Sequence, residues 1–249
     1  MSFFFGLEAD EFSNIEAGFG EQRLRKISDL FQVSTGLIQS RYYDRVAESN
    51  SPVRFLSLGD FDYDENRIKN EEELNNLNKA KSNLDTVRPG KKTDIPFDKV
   101  LRSTDYVINM RGEPKGFSMV EALNIVHDKN YVLANQFYIL RPNRDIPYSI
   151  PYLHQLLDLV VIPELKRVYY QKKKGLNDKK QKESNEKISF NSFTMSDLIE
   201  ISFNILVEVR DQEKIIDKLT HLKALKLEAI ENEKMFSESF QKFSISKSN

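Results

Sequence analysis

Two short stretches interleave basic and aromatic side chains. Arg41, Tyr42, Tyr43 and Arg45 fall within 39–45, and Tyr169, Tyr170, Lys172, Lys173 and Lys174 within 168–174. Arg111 and Lys115 sit in a third place, the six-residue segment 111–116, which holds two Gly and one Pro and reads as a loop between strands. Arg88, Lys91 and Lys92 gather around Pro89. Basic side chains on loops neutralise phosphates, and Arg, Asn and Gln read base edges. A basic run is by itself more often a solvated face, so this signal gains weight only from its context.

Catalytic motifs fail on inspection. Pro89-Gly90-Lys91-Lys92-Thr93 has the residues of a phosphate-binding loop in the wrong order and lacks the upstream Gly. Asp145-Ile146-Pro147-Tyr148 approximates an Asp-Pro-Pro-Tyr amino-group clamp, but Ile replaces the central Pro and no Gly-rich cofactor loop follows a strand. A proline turn entering a helix is the better reading. His127, His154 and His221 are too scattered for a local metal cage, and His154 reads as a packing residue. With no Cys, thiolate metal sites, cysteine nucleophiles and disulfide scaffolds are excluded. The balance is against an enzyme.

These residues must be held by a chain of 249 residues, long enough for a sizeable core. Its 17 Phe and 10 Tyr supply bulk that the modest 39% apolar content would not suggest. Charge nearly cancels, 37 basic against 38 acidic side chains, but it is unevenly spread. Nine Lys or Arg fall within 166–187 against Asp178, Glu183 and Glu186, whereas 60–73 is acidic. No apolar run approaches the roughly 20 residues of a membrane span, and the N-terminus lacks the basic start of a signal peptide. The expectation is a cytoplasmic protein with no membrane partner.

The first half reads as short strands, at 53–58, 106–110, 131–134 and 137–140, separated by Gly, Pro and Asn. A surface helix is expected over 71–84. After Ile150 the pattern turns helical: Ser149 as a cap, Pro151 in the first turn, and an apolar stripe of Leu153, Leu156, Leu157 and Val160. A second helix is expected to begin near Pro163, and the polar segment 175–187 to be a mobile loop. Ile199, Ile201, Phe203, Ile205 and Val207 alternate as in a half-buried strand. From Asp211, the positions Ile215, Leu219, Leu222, Lys226, Ala229, Glu233, Phe236, Phe240 and Phe243 follow a 4-3 spacing with no Gly or Pro between. That predicts one long helix needing a partner helix, from this chain or another.

Several stretches, in order, are similar to the specificity (S) subunit of type I restriction–modification systems. Residues 24–36 look like the opening strand and glycine turn of that family's target recognition domain, and 54–60 like its next strand. Residues 103–112, ending Asn109-Met110-Arg111-Gly112, resemble its "gly-asp-ile-leu … arg-gly" stretch, with Thr104 where Gly is usual. Residues 133–142 and 151–157 resemble the closing strand and helix, and 205–222, with Asp211-Gln212-Glu213-Lys214-Ile215, the strand and start of the spacer helix. The chain departs from the family in lacking the proline before that helix, and in holding one recognition domain and one helix where two of each are usual.

The resemblance implies an α+β fold: a strand-rich recognition domain with small helices over 1–170, a basic flexible loop over 171–190, and a strand plus long coiled-coil helix over 191–249. It implies no catalysis and no cofactor on this chain. The chain would bind double-stranded DNA and dock an adenine methyltransferase subunit, which carries S-adenosylmethionine, and a motor-nuclease subunit for phage defence. Arg41, Tyr42, Arg111 and Lys115 are assigned to DNA, with Lys91 and Lys92 on phosphates. Ile215, Leu219, Leu222, Ala229, Phe236 and Phe240 are assigned to the partner helix. A homodimer pairing these helices antiparallel would read an interrupted palindrome. The competing reading is a coiled-coil assembly protein with a β-rich head and no DNA role. A DNA mimic would be far more acidic.

Overall fold

A computed structural model describes residues 18–38, 53–62, 67–69, 96–122, 130–180 and 193–246. Its centre is a four-stranded sheet in the order β2 (Phe31–Thr35), β9 (Phe137–Pro142), β6 (Tyr106–Asn109), β7 (Gly116–Ser118), with every neighbouring pair antiparallel. Around it stand β1 (Gln22–Lys26), α1 (Ile27–Leu30), β3 (Val53–Leu56), the hairpin β4 (Phe61–Asp62) and β5 (Arg67–Ile68), α2 (Met119–Ala122) and β8 (Asn130–Leu133). The second half supplies α3 (Ile150–Leu156), α4 (Ile162–Lys180), α5 (Met195–Ile199), β10 (Ser202–Leu206) and α6 (Val209–Ser246).

The unbroken apolar runs of the first three residues of β6 and the first four of β9 follow from a sheet covered on both faces. Side chains alternate along a strand. Tyr106, Ile108, Tyr138 and Leu140 enter one core with Leu153, Leu156, Leu157, Val161, Leu165 and Ile215. Val107, Phe117, Phe137 and Ile139 enter the other with Leu56, Phe61, Ile68, Leu133 and Met119. Phe61 locks that second face, its ring centroid 4.6 Å from Phe117 and 5.1 Å from Phe137. Parallel pairing of β3 with β8 carries the outer layer.

The stripe on α3 buries as its spacing predicts: Leu153, Leu156 and Leu157 are inaccessible, and Val160 packs half-buried beside them. The second helix does not start afresh at Pro163. A widened π-type turn over Leu157–Val161 joins α3 to α4, and Pro163 lies in the first turn of α4, where its missing N–H is tolerated. The loop expected from 175 is helical as far as Lys180, and 181–192 lies outside the described residues, as does the expected helix over 71–84.

The strand expected over 199–207 is shorter. Ile199 ends α5, whose start is fixed by a reciprocal cap: Thr194 Oγ1 accepts from the Asp197 N–H at 3.1 Å, and Asp197 accepts from the Thr194 N–H at 2.6 Å. β10 then alternates with Phe203 and Ile205 inward and pairs antiparallel with β1. Residues 193–219 therefore share a core with the first half. Gln212, fully buried, sews the join: its Oε1 accepts from the Ser149 N–H at 2.8 Å and its Nε2 donates to the Leu206 carbonyl at 2.7 Å.

Candidate nucleic-acid interface

β6 delivers Asn109 to one end of the central sheet, and its side chain shapes the loop that follows. Asn109 Nδ2 donates to the carbonyls of Arg111 at 2.6 Å and Glu113 at 3.0 Å, while its Oδ1 accepts from the Lys115 N–H at 2.5 Å. Gly112 takes the left-handed conformation at φ 75°, which favours glycine. The loop is thus a fixed turn that carries exposed Arg111 and half-buried Lys115.

Two other segments reach the same sheet end. The Met110 N–H donates to the Gln136 carbonyl at 2.8 Å, which sets the β8–β9 turn, with exposed Asn135 and half-buried Gln136, beside the loop. The Gly36 N–H donates to Phe137 O at 3.1 Å and the Leu37 N–H to Leu133 O at 2.8 Å. A Cβ on Gly36 would lie 2.1 Å from the Ala134 carbonyl, so only glycine permits this approach. Arg41 and Tyr42 follow three residues after Ile38 and beyond, outside the described residues; Lys91 and Lys92 also lie outside them.

The loop is pinned to α4. Glu113 accepts from Lys166 Nζ at 2.9 Å and from the Tyr170 hydroxyl at 2.9 Å. The Lys166 hydrogen bond holds the Glu113 carboxyl below its usual range, with smaller help from Tyr170 and Lys115 and against the opposing effect of partial burial. The same contact raises the Tyr170 phenol.

One buried group has the residue types of a nucleophile and its base. Ser118 Oγ lies 2.8 Å from His154 Nδ1, and His154 Nε2 lies 3.2 Å from the Thr104 carbonyl. Nε2 must then donate to that carbonyl, which leaves Nδ1 to accept from the Ser118 hydroxyl. Burial pushes the His154 imidazole down to about 4, although the Thr104 carbonyl pulls it the other way. Both side chains are buried, and each of their polar atoms has a partner. Next to them the Tyr106 hydroxyl donates to Asp158, and the phenol is raised well above its usual value, chiefly by burial. The arrangement is a packing network. Among the described residues no three His, Asp or Glu come together to hold a metal, and no helix is long and apolar enough to cross a membrane.

The residues assigned to a partner helix divide. Ile215 and Leu219 are buried in this chain's own core, so the foot of α6 finds its partner in α3 and the sheet. Leu222 is half-buried, Ala229 is exposed, and Phe236 is 74% exposed; Phe240 lies on α6 where side chains are not described. Asn109, Glu113, Asn135, Gln136 and Lys166 went unassigned in the sequence. Only Asn109 had a local signal, standing at the end of an apolar run before a Gly/Pro loop.

No family model and no curated protein matches the sequence. The fold does have solved counterparts, which are specificity subunits of type I restriction–modification systems. One, from a structure that addresses complex assembly and conformational transition of the type I R-M system, superposes with a TM-score of 0.51 at 16% identity over 90% of this chain and 47% of its own. The HsdS subunit from Thermoanaerobacter tengcongensis gives 0.47 at 16% identity, covering 89% and 44%. The S subunit from M. genitalium gives 0.40 at 13% identity, covering 92% and 46%. The chain spans less than half the length of each, and the likeness, carried by the first, is one of fold.

Proposed function

We propose that this chain is a non-catalytic DNA-specificity subunit of a type I restriction–modification system. The observation that carries the reading is the meeting, at one sheet end, of the fixed Arg111–Lys115 loop, the Asn135–Gln136 turn and the strand that leads toward Arg41 and Tyr42. Guanidinium and amide groups on rigid turns are the side chains that read base edges in the major groove, and the lysines suit phosphates. The shared fold supports the same reading. In it, Lys91 and Lys92 also contact phosphates, and the whole of 1–170 serves recognition. An adenine methyltransferase subunit docked on this chain flips and methylates the base with its own S-adenosylmethionine, and a motor-nuclease subunit joins for cleavage.

The same proposal pairs two copies through α6 as an antiparallel coiled coil, so that the dimer reads an interrupted palindrome. The apolar side chains that α6 leaves accessible beyond its buried foot, Leu225 at 48% and Phe236, support this. Charge substitution at Leu219 is not a clean test because that side chain belongs to the core; Leu225→Glu with Phe236→Glu is. The double variant should run as a folded monomer in sedimentation and lose affinity for duplex DNA; a dimer that survives would remove the pairing.

The deciding experiment is the native mass and composition of the complex purified from its host, followed by duplex binding across a salt series. Methyltransferase subunits in the complex and steeply salt-dependent binding support the proposal. Partners unrelated to DNA modification, with no duplex bound at low salt, would favour a coiled-coil assembly protein.

A further inference from the structure

The run of lysines after Pro163 has no place in the recognition loops, yet the structure joins it to them. α4 presents Lys166, Tyr170 and Lys174 at intervals of four, with Tyr169 and Lys173 in the adjoining row, and residues so spaced share one helix face. The first of these rows touches the β6–β7 loop: Glu113 takes one hydrogen bond from Lys166 and one from Tyr170. Beyond that contact, Lys173 and Lys174 are exposed, and the Lys173 ammonium lies 5.7 Å from the centroid of the Tyr169 ring. Two neighbouring cations of α4 are neutralised, Arg167 by Glu164 at 2.5 Å and Lys172 by Asp197 at 2.6 Å. Carboxylates thus answer Lys166, Arg167 and Lys172, and the exposed charge of Lys173 and Lys174 follows one turn beyond the contact with the loop.

We infer that the Lys166–Tyr170–Lys174 face of α4 is a second contact surface for double-stranded DNA, gripping the phosphate backbone beside the loop that reads the bases. The inference rests on the DNA-binding reading above. A helix lying along a duplex meets phosphates whatever the sequence, so this surface adds affinity and salt dependence without selectivity. Glu113 is a positioning residue in this arrangement. It repels phosphate itself, but by holding Lys166 and Tyr170 it fixes the angle between loop and helix, so both can meet one duplex.

The test measures binding of a random-sequence duplex by the purified native complex, or by the full chain, across a salt series. The double variant Lys173→Gln, Lys174→Gln removes two exposed cations and nothing from the core. Its log Kd against log salt should flatten by about 1.8, from about 0.9 per phosphate contact, with the preferred sequence unchanged. Lys172→Gln, on another face, should leave the slope as in the parent, and Arg111→Ala should relax sequence preference instead. An unchanged slope in the double variant, with Arg111→Ala still impaired, overturns the α4 surface and leaves the recognition loops standing. No binding by the parent at any salt overturns the DNA reading itself. A circular-dichroism melt of each variant matching the parent confirms that binding, and not folding, has been altered.

Discussion

Replacing Arg141 by Met removes four hydrogen bonds at once from one end of the central sheet. The guanidinium grips Asp105 through Nε at 2.8 Å and Nη2 at 2.7 Å, and donates to the carbonyls of Asp98 at 2.7 Å and Val100 at 2.8 Å. Asp105 is wholly buried just before β6, and it also caps the turn by accepting from the Arg102 N–H at 2.9 Å. Met fills much of the same volume, so the loss is electrostatic: a carboxylate left inside without its counter-charge. Breaking a buried pair from one side costs about 3–5 kcal/mol. At about 2–4 °C per kcal/mol for a chain of this size, that is a fall of about 6–20 °C in Tm. Arg141→Lys should fare only slightly better, because one ammonium cannot span both carboxylate oxygens and two carbonyls. Adding Asp105→Asn to Arg141→Met removes the orphaned charge and should recover about 1–3 kcal/mol as coupling. Urea unfolding of the four proteins measures the cycle. A loss below about 1 kcal/mol for Arg141→Met, the range of an ordinary surface change, would refute the claim that this pair holds β6 to β9.

Gly116→Ala tests the packing around Tyr106, on the face of the sheet that meets α3. A Cβ there would lie 1.8 Å from the Tyr106 hydroxyl oxygen and 2.4 Å from its ring carbon Cζ, and Tyr106 is itself buried and bonded to Asp158. We expect a loss of at least about 1–3 kcal/mol from overpacking, read by thermal unfolding, and loss of the near-ultraviolet tyrosine signal; a neutral substitution would show that the ring can move freely. His154 predicts a pH dependence. Its folded value of about 4 lies below the 6.5 of the free side chain, so between those limits the unfolded chain takes up a proton that the folded chain refuses. Stability is therefore full above about 6.5 and falls as pH drops toward 4, by about 3 kcal/mol. His154→Gln should flatten this part of the profile in denaturant titrations, and an unchanged slope would assign it to other groups.

The parts of the fold that showed in the sequence are those where one segment's pattern suffices. Tyr106 to Ile108 and Phe137 to Leu140 are apolar without a break because both faces of their sheet are covered, and the Gly/Pro-rich loop between β6 and β7 punctuates itself. What failed to show depends on partners far along the chain. Residues 24–36 read as one opening strand, yet Asp29 accepts from the Lys26 N–H at 2.9 Å and turns 27–30 into a helical step, so that β1 leaves to pair with β10. Nothing within Gln22–Lys26, where three of the five residues are exposed, announces that pairing. The candidate site divides in the same way. Arg111 and Lys115 were legible because glycine and proline place them on a loop, whereas Glu113 gains its role only from Lys166 and Tyr170 on α4. Ile215 and Leu219 kept the heptad spacing of a dimer seam, but spacing cannot say which helix or sheet fills the facing holes, and here the chain fills them itself.

That division of α6 bears on how the molecule tolerates change. Its foot is bolted to the core through Ile215, Leu219 and the buried Gln212, and the sheet is clamped at the start of β6 by Asp105 and Arg141. The loops with Arg111, Lys115 and Asn135 leave from the opposite end of the same strands, since Asn109 pairs with Phe137 while Tyr106 pairs with Leu140. Substitutions at the loop tips therefore leave the core contacts untouched and should add to core substitutions without coupling. Asn109 and Gly36 are the exceptions, because one shapes the loop from within the sheet and the other admits a backbone contact closer than any side chain allows. A scaffold divided this way can exchange Arg111, Lys115, Asn135 and Gln136 while holding Asn109 and Gly36 fixed, which is what the proposed recognition role would require of it.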